Sequence, residues 1–112
     1  MSIRSADLFL GTPANIASTA LFLEVMSRLT GYTPGKVIIQ LANAHIYENH
    51  YEQVEKLLTR GHFVSPRLIL GNNIRMIEDL RDIPGCFTRI NVEDFKLVDY
   101  VHHEPISAVM AI

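Results

Sequence analysis

The sequence predicts an α/β (α+β) fold, a mixed β-sheet packed with helices, on three observations. Apolar or β-branched runs of strand length alternate with longer stretches of helical apolar spacing. Glycine and proline punctuate the boundaries between them. With 112 residues, 48% hydrophobic and 20% charged, the chain has globular composition and the length for one core. No repeat, low-complexity tract or Ser/Pro-rich linker divides it, so residues 1–112 are expected to form a single domain.

Ala6-Asp7-Leu8-Phe9-Leu10 is short, apolar and bounded by Gly11, which suits a strand. Thr12-Pro13 reads as N-cap and first helical position, because proline lacks only a donor that the first turn leaves unpaired. Ile16, Ala17, Ala20, Leu21 and Leu23 onward to Leu29 carry a stripe wide enough for a buried helix, which Gly31 stops. After Thr33-Pro34-Gly35, Val37 to Leu41 is a β-branched run that could extend to Tyr47 as one long buried strand. Glu48 to Arg60 returns to helical spacing through Tyr51, Val54, Leu57 and Leu58, closed by Gly61. Pro66 to Leu70 is a further short strand, and Asn72 to Pro84 reads as a turn and a short amphipathic helix through Ile74, Ile77 and Leu80. Phe95 to Val101 alternates as a strand, and Pro105 to Ile112 forms an apolar extended tail.

Charge and cysteine usage narrow the function classes. A net charge of −2 supplies no basic field, which argues against a nucleic-acid partner held by phosphate neutralisation. A single cysteine allows neither an internal disulfide nor a Cys-rich zinc site. No basic-then-apolar leader is seen, and no apolar run reaches the ~18 residues of a membrane span, so a soluble cytoplasmic protein is expected.

The informative polar residues are those set among apolar ones, since burial without partners is unfavourable. Arg4 and Ser5, just before a strand, offer guanidinium and hydroxyl donors suited to a phosphate, or simply a solvated segment. Asp7 inside the first strand is either a ligand contact or an edge charge against aggregation. Asn15, in the first turn of the long helix, presents the flat donor–acceptor face that matches an amide-like ring, or makes a local helix-start bond. Asn43, His45 and Tyr47 share one face of a strand, either as a converging site or as a satisfied histidine beside a packed tyrosine. No metal site is expected: His45 and His50 share neither a strand face nor a helix face, and adjacent His102 and His103 point apart. Cys86 follows Pro84-Gly85 without a nearby histidine base and reads as a structural thiol.

Taken together, these segments resemble the thymidylate synthase family. The stretch from Arg4-Ser5-Ala6-Asp7 through Gly11-Thr12-Pro13-Ala14-Asn15 to Ser18 is similar to its core segment. Leu41-Ala42-Asn43-Ala44-His45-Ile46-Tyr47-Glu48-Asn49-His50 resembles its second nucleotide-binding segment. Val92-Glu93-Asp94-Phe95, Tyr100, His103 and Val109-Met110-Ala111-Ile112 resemble its closing strand and C-terminal tail, with an apparent insertion around residues 71–89. Asn43 stands where the family usually carries an aspartate.

The resemblance implies a transferase that moves a one-carbon unit from 5,10-methylenetetrahydrofolate to C5 of dUMP and reduces it to methyl, yielding dTMP. It implies that Arg4 and Ser5 hold the phosphate, and that Ala6 and Ile46 stand among the nucleotide contacts. Asn15 would read the pyrimidine edge, and His45 and Tyr47 would bond the deoxyribose 3′-hydroxyl. Asp7 would act catalytically and meet both nucleotide and pterin, while Ala111 would cover the folate. Asn15 favours uracil over cytosine, because one amide matches a carbonyl beside an N–H in both directions. The family's nucleophile is a cysteine in a Pro-Cys-His-like motif upstream of Arg4-Ser5, so the chain is expected to be a C-terminal portion, incomplete on its N-terminal side. The implied partners are a dUMP-like nucleotide, folate, and either a second copy of the chain or a complementing N-terminal portion. The alternatives are a non-catalytic nucleotide-binding or assembly domain, and part of a deoxyuridylate hydroxymethylase.

Overall fold

Two segments that begin at the N-terminus and at Val37 pair side by side, and everything else in the first unit hangs on that ladder. In the computed structural model residues 1–110 are described; Ala111, expected over the folate, lies outside the described residues. The chain forms two units: one from residues 1–20, 37–63 and the described part of 102–112, the other from residues 21–36 and 64–101. Helix α1, Gly11–Thr30, contributes residues to both.

In the first unit β1 (Ser2–Ile3) pairs in parallel with β3 (Gln40–Leu41), and β2 (Ala6–Asp7) with β4 (Ala44–His45). Backbone bonds run from Gln40 N to Met1 O and Ala42 N to Ile3 O, both 3.0 Å, then from Ala6 N to Asn43 O and Leu8 N to His45 O, both 2.9 Å. The strand expected through Leu10 stops at Asp7, because the Asp7 carboxylate turns the chain. Its Oδ1 accepts the amides of Phe9 at 2.9 Å and Leu10 at 3.3 Å, an Asx-type turn that competes with further pairing. The long strand expected from Val37 to Tyr47 is likewise two short ones, and its start is not buried: Ile38 is 70% exposed.

Helix α1 starts at Gly11, slightly before the expected Thr12-Pro13 entry, and buried Thr12 ties it back by donating to Asp7 O at 2.8 Å. Gly31 ends it at φ 75°, its N–H donating to Ser27 O at 2.9 Å, the left-handed stop that glycine takes at least strain. The helix is less buried than its stripe suggested: Val25 and Leu29 are enclosed, whereas Ile16 and Phe22 are exposed. A 3-10 turn, Glu48–His50, leads into the amphipathic α2, Tyr51–Leu58.

The second unit is built around Val25, Leu29, Ile74 and Cys86, with Met26, Leu70, Ile77, Ile90 and Phe95 packed around them. Strand β5 (Arg67–Leu70) pairs antiparallel with β6 (Phe95–Val98), Leu70 opposite Phe95. The amphipathic helix expected before Pro84 is replaced by a 3-10 helix, Leu80–Gly85, capped by Asp79 through the Arg81 amide at 2.9 Å. The reason lies in packing: Ile74 is fully buried while Leu80 is exposed, so the two do not share one helical face. The Asp79 carboxyl is held below its ordinary range by the hydrogen bonds it accepts from Arg81. Buried Asp94 closes the unit, accepting from Asn91 N at 2.9 Å and from Asn73 Nδ2 at 3.0 and 3.1 Å. No helix is long and apolar enough to cross a membrane among the described residues.

Candidate nucleotide site

The parallel ladder sets Asp7 directly opposite His45. Residues in register on paired strands are neighbours on one face, so Asp7 and His45 are adjacent positions of the sheet. Asp7 is half-buried, and the bonds that hold its carboxylate both go to Oδ1. His45 Nδ1 lies 3.1 Å from Asn43 O. A carbonyl can only accept, so Nδ1 carries the hydrogen and Nε2 of the neutral ring presents an acceptor. The partner is backbone oxygen, so this tautomer does not depend on the Asn43 side chain. Beyond the strand the chain stays extended at Tyr47 (φ −70°, ψ 144°), and its ring meets His45 edge-on at 4.9 Å. The rings of His45 and Tyr47 are in contact, but the strand expected to carry Asn43, His45 and Tyr47 on one face covers only Ala44–His45.

Arg4 and Ser5 lie at the exposed bend between β1 and β2, where neither side chain is drawn into the ladder. Ala6, next to that bend, is only 2% exposed. Asn15 occupies the second turn of α1, half-buried. Its carbonyl accepts from Ser18 Oγ at 3.2 Å and Thr19 Oγ1 at 2.7 Å, while among the described residues its side-chain amide has no partner within the chain. Ile46 is half-buried between His45 and Tyr47. No group of three or more His, Cys, Asp or Glu side chains able to hold a metal occurs among the described residues.

Sequence reasoning weighed His50 only as a metal ligand, and the structure makes it conspicuous for another reason. His50 is fully buried, with Phe9 at 5.4 Å and Tyr47 at 5.9 Å between ring centres. The available signal was its position three residues after Tyr47, at the head of a segment with helical apolar spacing. Cys86 is buried in the second unit's core.

The first unit of this α+β chain thus carries a carboxylate and an imidazole on paired parallel strands, with a phenol just beyond them. The family model described as thymidylate synthase matches residues 1–112. The chain belongs to the thymidylate synthase family. It is 38% identical over 109 residues to a thymidylate synthase from Mycoplasma mobile, covering 97% of this chain and 34% of that protein. It is 38% identical over 111 residues to one from Pseudomonas putida, covering 98% and 34% respectively. Among solved structures, thermostable thymidylate synthase A from Bacillus subtilis superposes with a TM-score of 0.79 at 26% identity, over 96% of this chain and 36% of that one. The chain thus spans about a third of the length of the curated relatives it matches, and its fold is part of the thymidylate synthase domain.

Proposed function

We propose that the chain is the nucleotide- and folate-binding C-terminal portion of a thymidylate synthase-type enzyme, which methylates dUMP at C5 to dTMP with 5,10-methylenetetrahydrofolate. The observation that carries this reading is the juxtaposition of Asp7 and His45 as ladder partners, with Tyr47 against His45, in a chain matched along its whole length by the family.

In this reading each group does what its chemistry allows. Arg4 and Ser5 donate to the phosphate from their exposed bend. His45 Nε2 accepts the 3′-hydroxyl hydrogen, and the Tyr47 hydroxyl bonds the same oxygen. Asn15 reads the uracil edge with an amide that has no competing partner among the described residues. The backbone at Ala6 and Ile46 frames the nucleotide, Asp7 acts between nucleotide and pterin through the oxygen not used in its turn, and Ala111 covers the folate. The thiolate that adds to C6, making C5 nucleophilic, has no source in Cys86, whose sulfur is enclosed by Val25, Leu29 and Ile74. It comes instead from a complementing N-terminal portion, in a cytoplasmic assembly that pairs copies of the chain. The same buried cysteine favours a second reading, in which these 112 residues bind nucleotide without catalysing.

Titration calorimetry with dUMP tests the reading. Micromolar binding is expected, weakened at least ~10-fold by Asn15→Asp, which turns a donor into a charged acceptor facing the uracil N–H/C=O edge. A folded chain that takes up no dUMP would contradict it.

A further inference from the structure

His50 is an unusual choice for an apolar pocket. It is fully buried against Phe9 and Tyr47, and its Nδ1 has no hydrogen-bond partner among the described residues. A phenylalanine or leucine would fill such a pocket without leaving a polar atom unpaired. What the histidine provides is Nε2, which lies 2.8 Å from the carbonyl oxygen of Val109, 59 positions along the chain. That oxygen cannot donate, so Nε2 bears the hydrogen. Asn49 Nδ2 donates to the same oxygen at 3.1 Å, giving one tail carbonyl two side-chain donors.

The segment these residues hold is also held at its other end. His103 Nε2 donates to Gly61 O at 2.9 Å, and its ring packs at a tilt against Phe63, centres 4.5 Å apart. Residues 103–109 therefore run back along α2, from beyond its last turn to the 3-10 turn that precedes it. Between the two anchors Pro105, Ile106 and Ser107 form one wall of a cleft of about 240 Å³, with Glu52, Gln53 and Lys56 opposite. Regular backbone pairing is absent from this segment, so its position depends on the few side-chain bonds at its ends.

We propose that His50, assisted by Asn49, is a positioning residue that ties the C-terminal segment to the His45–Tyr47 pair. One ring serves both contacts: its Nε2–H holds Val109 O, and the ring meets Tyr47 at near right angles, centres 5.9 Å apart, while Tyr47 in turn meets His45 at 4.9 Å. Its consequence for nucleotide binding rests on the functional reading given above; its hold on the tail does not.

The first test uses the wild-type chain. Nitrogen-15 NMR of the imidazoles should show His50 as the Nε2–H tautomer, and an Nδ1–H tautomer would overturn the proposal even if no variant folds. The second compares hydrogen–deuterium exchange over residues 103–110 in His50→Phe, which keeps an aromatic ring and removes the donor, and in His50→Gln, which restores an N–H. Exchange should quicken about fivefold to tenfold in His50→Phe and return toward wild type in His50→Gln, with β5–β6 amides unchanged throughout. Unchanged tail exchange in His50→Phe, or equal acceleration in both variants, would overturn the donor role. Calorimetry with dUMP separates this proposal from the functional reading. His50→Phe should weaken dUMP about threefold to tenfold through Tyr47, with recovery in His50→Gln. A chain that binds no dUMP but shows the tail effect contradicts the nucleotide reading alone; dUMP binding without the tail effect contradicts the positioning role alone.

Discussion

His45 acquires its chemical character from a neighbour two residues earlier, not from its own position in the sequence. With Nδ1 donating to the Asn43 carbonyl, Nε2 is the ring nitrogen left to accept a hydrogen bond. Asp7 likewise has two tasks, one of them architectural: Oδ1 ends β2 and launches α1. The sequence offered a ligand contact or an edge charge for Asp7, and no local pattern could reveal that its carboxylate also makes a turn. The tail contact of His50 was illegible for a different reason, since its partner lies 59 positions away. Asp99 shows residue-scale strain directly, with φ 61° in the left-handed region. Its ion pair with Arg67 spans 3.6 Å between side chains 74% and 68% exposed, too solvated to offset much of that strain. Asp99→Gly is therefore expected to stabilise the chain by about 0.5–1 kcal/mol, read as a higher urea midpoint; a lower midpoint would contradict the strain argument.

Elements followed the sequence where local signals were strong. The stop at Gly31, the helix between Glu48 and Gly61, and the strands at Arg67–Leu70 and Phe95–Val98 all lie close to their expected places. The segment from Asn72 to Pro84 did not, because its hydrophobic spacing suggested one amphipathic face while tertiary packing selects Ile74 and leaves Leu80 in solvent. Pairing between β5 and β6 was equally hidden, as its register depends on contacts across the intervening segment. That register brings Gly71 onto Asp94, the Gly71 amide donating to Asp94 O at 2.7 Å. A Cβ at Gly71 would clash with Asp94 Oδ1 and stand 3.0 Å from Asp94 Cα, and the backbone atom cannot swing aside. Gly71→Ala should cost about 2–3 kcal/mol in urea unfolding, with near-wild-type stability the contrary result.

For the whole molecule, length carries most of the meaning. Composition suggested a self-sufficient domain of 112 residues, yet those residues match about a third of each curated relative and 36% of the Bacillus subtilis structure. The strands of the first unit are two residues long, and large apolar side chains stand in solvent in both units, with Ile38 70% and Phe22 60% exposed. Short ladders and exposed apolar surface favour association. At micromolar concentration light scattering should therefore report dimers or larger species, and a monodisperse monomer would contradict that expectation. The central claim concerns the half-site itself: that a uracil nucleotide binds across Arg4, Ser5, Asn15, His45 and Tyr47. Backbone and side-chain NMR during a dUMP titration measures it most directly, because shifts report weak binding as well as tight. The account predicts saturable shifts at those five residues and none along β5–β6; an absence of shifts at His45 and Tyr47 at saturating dUMP would contradict it.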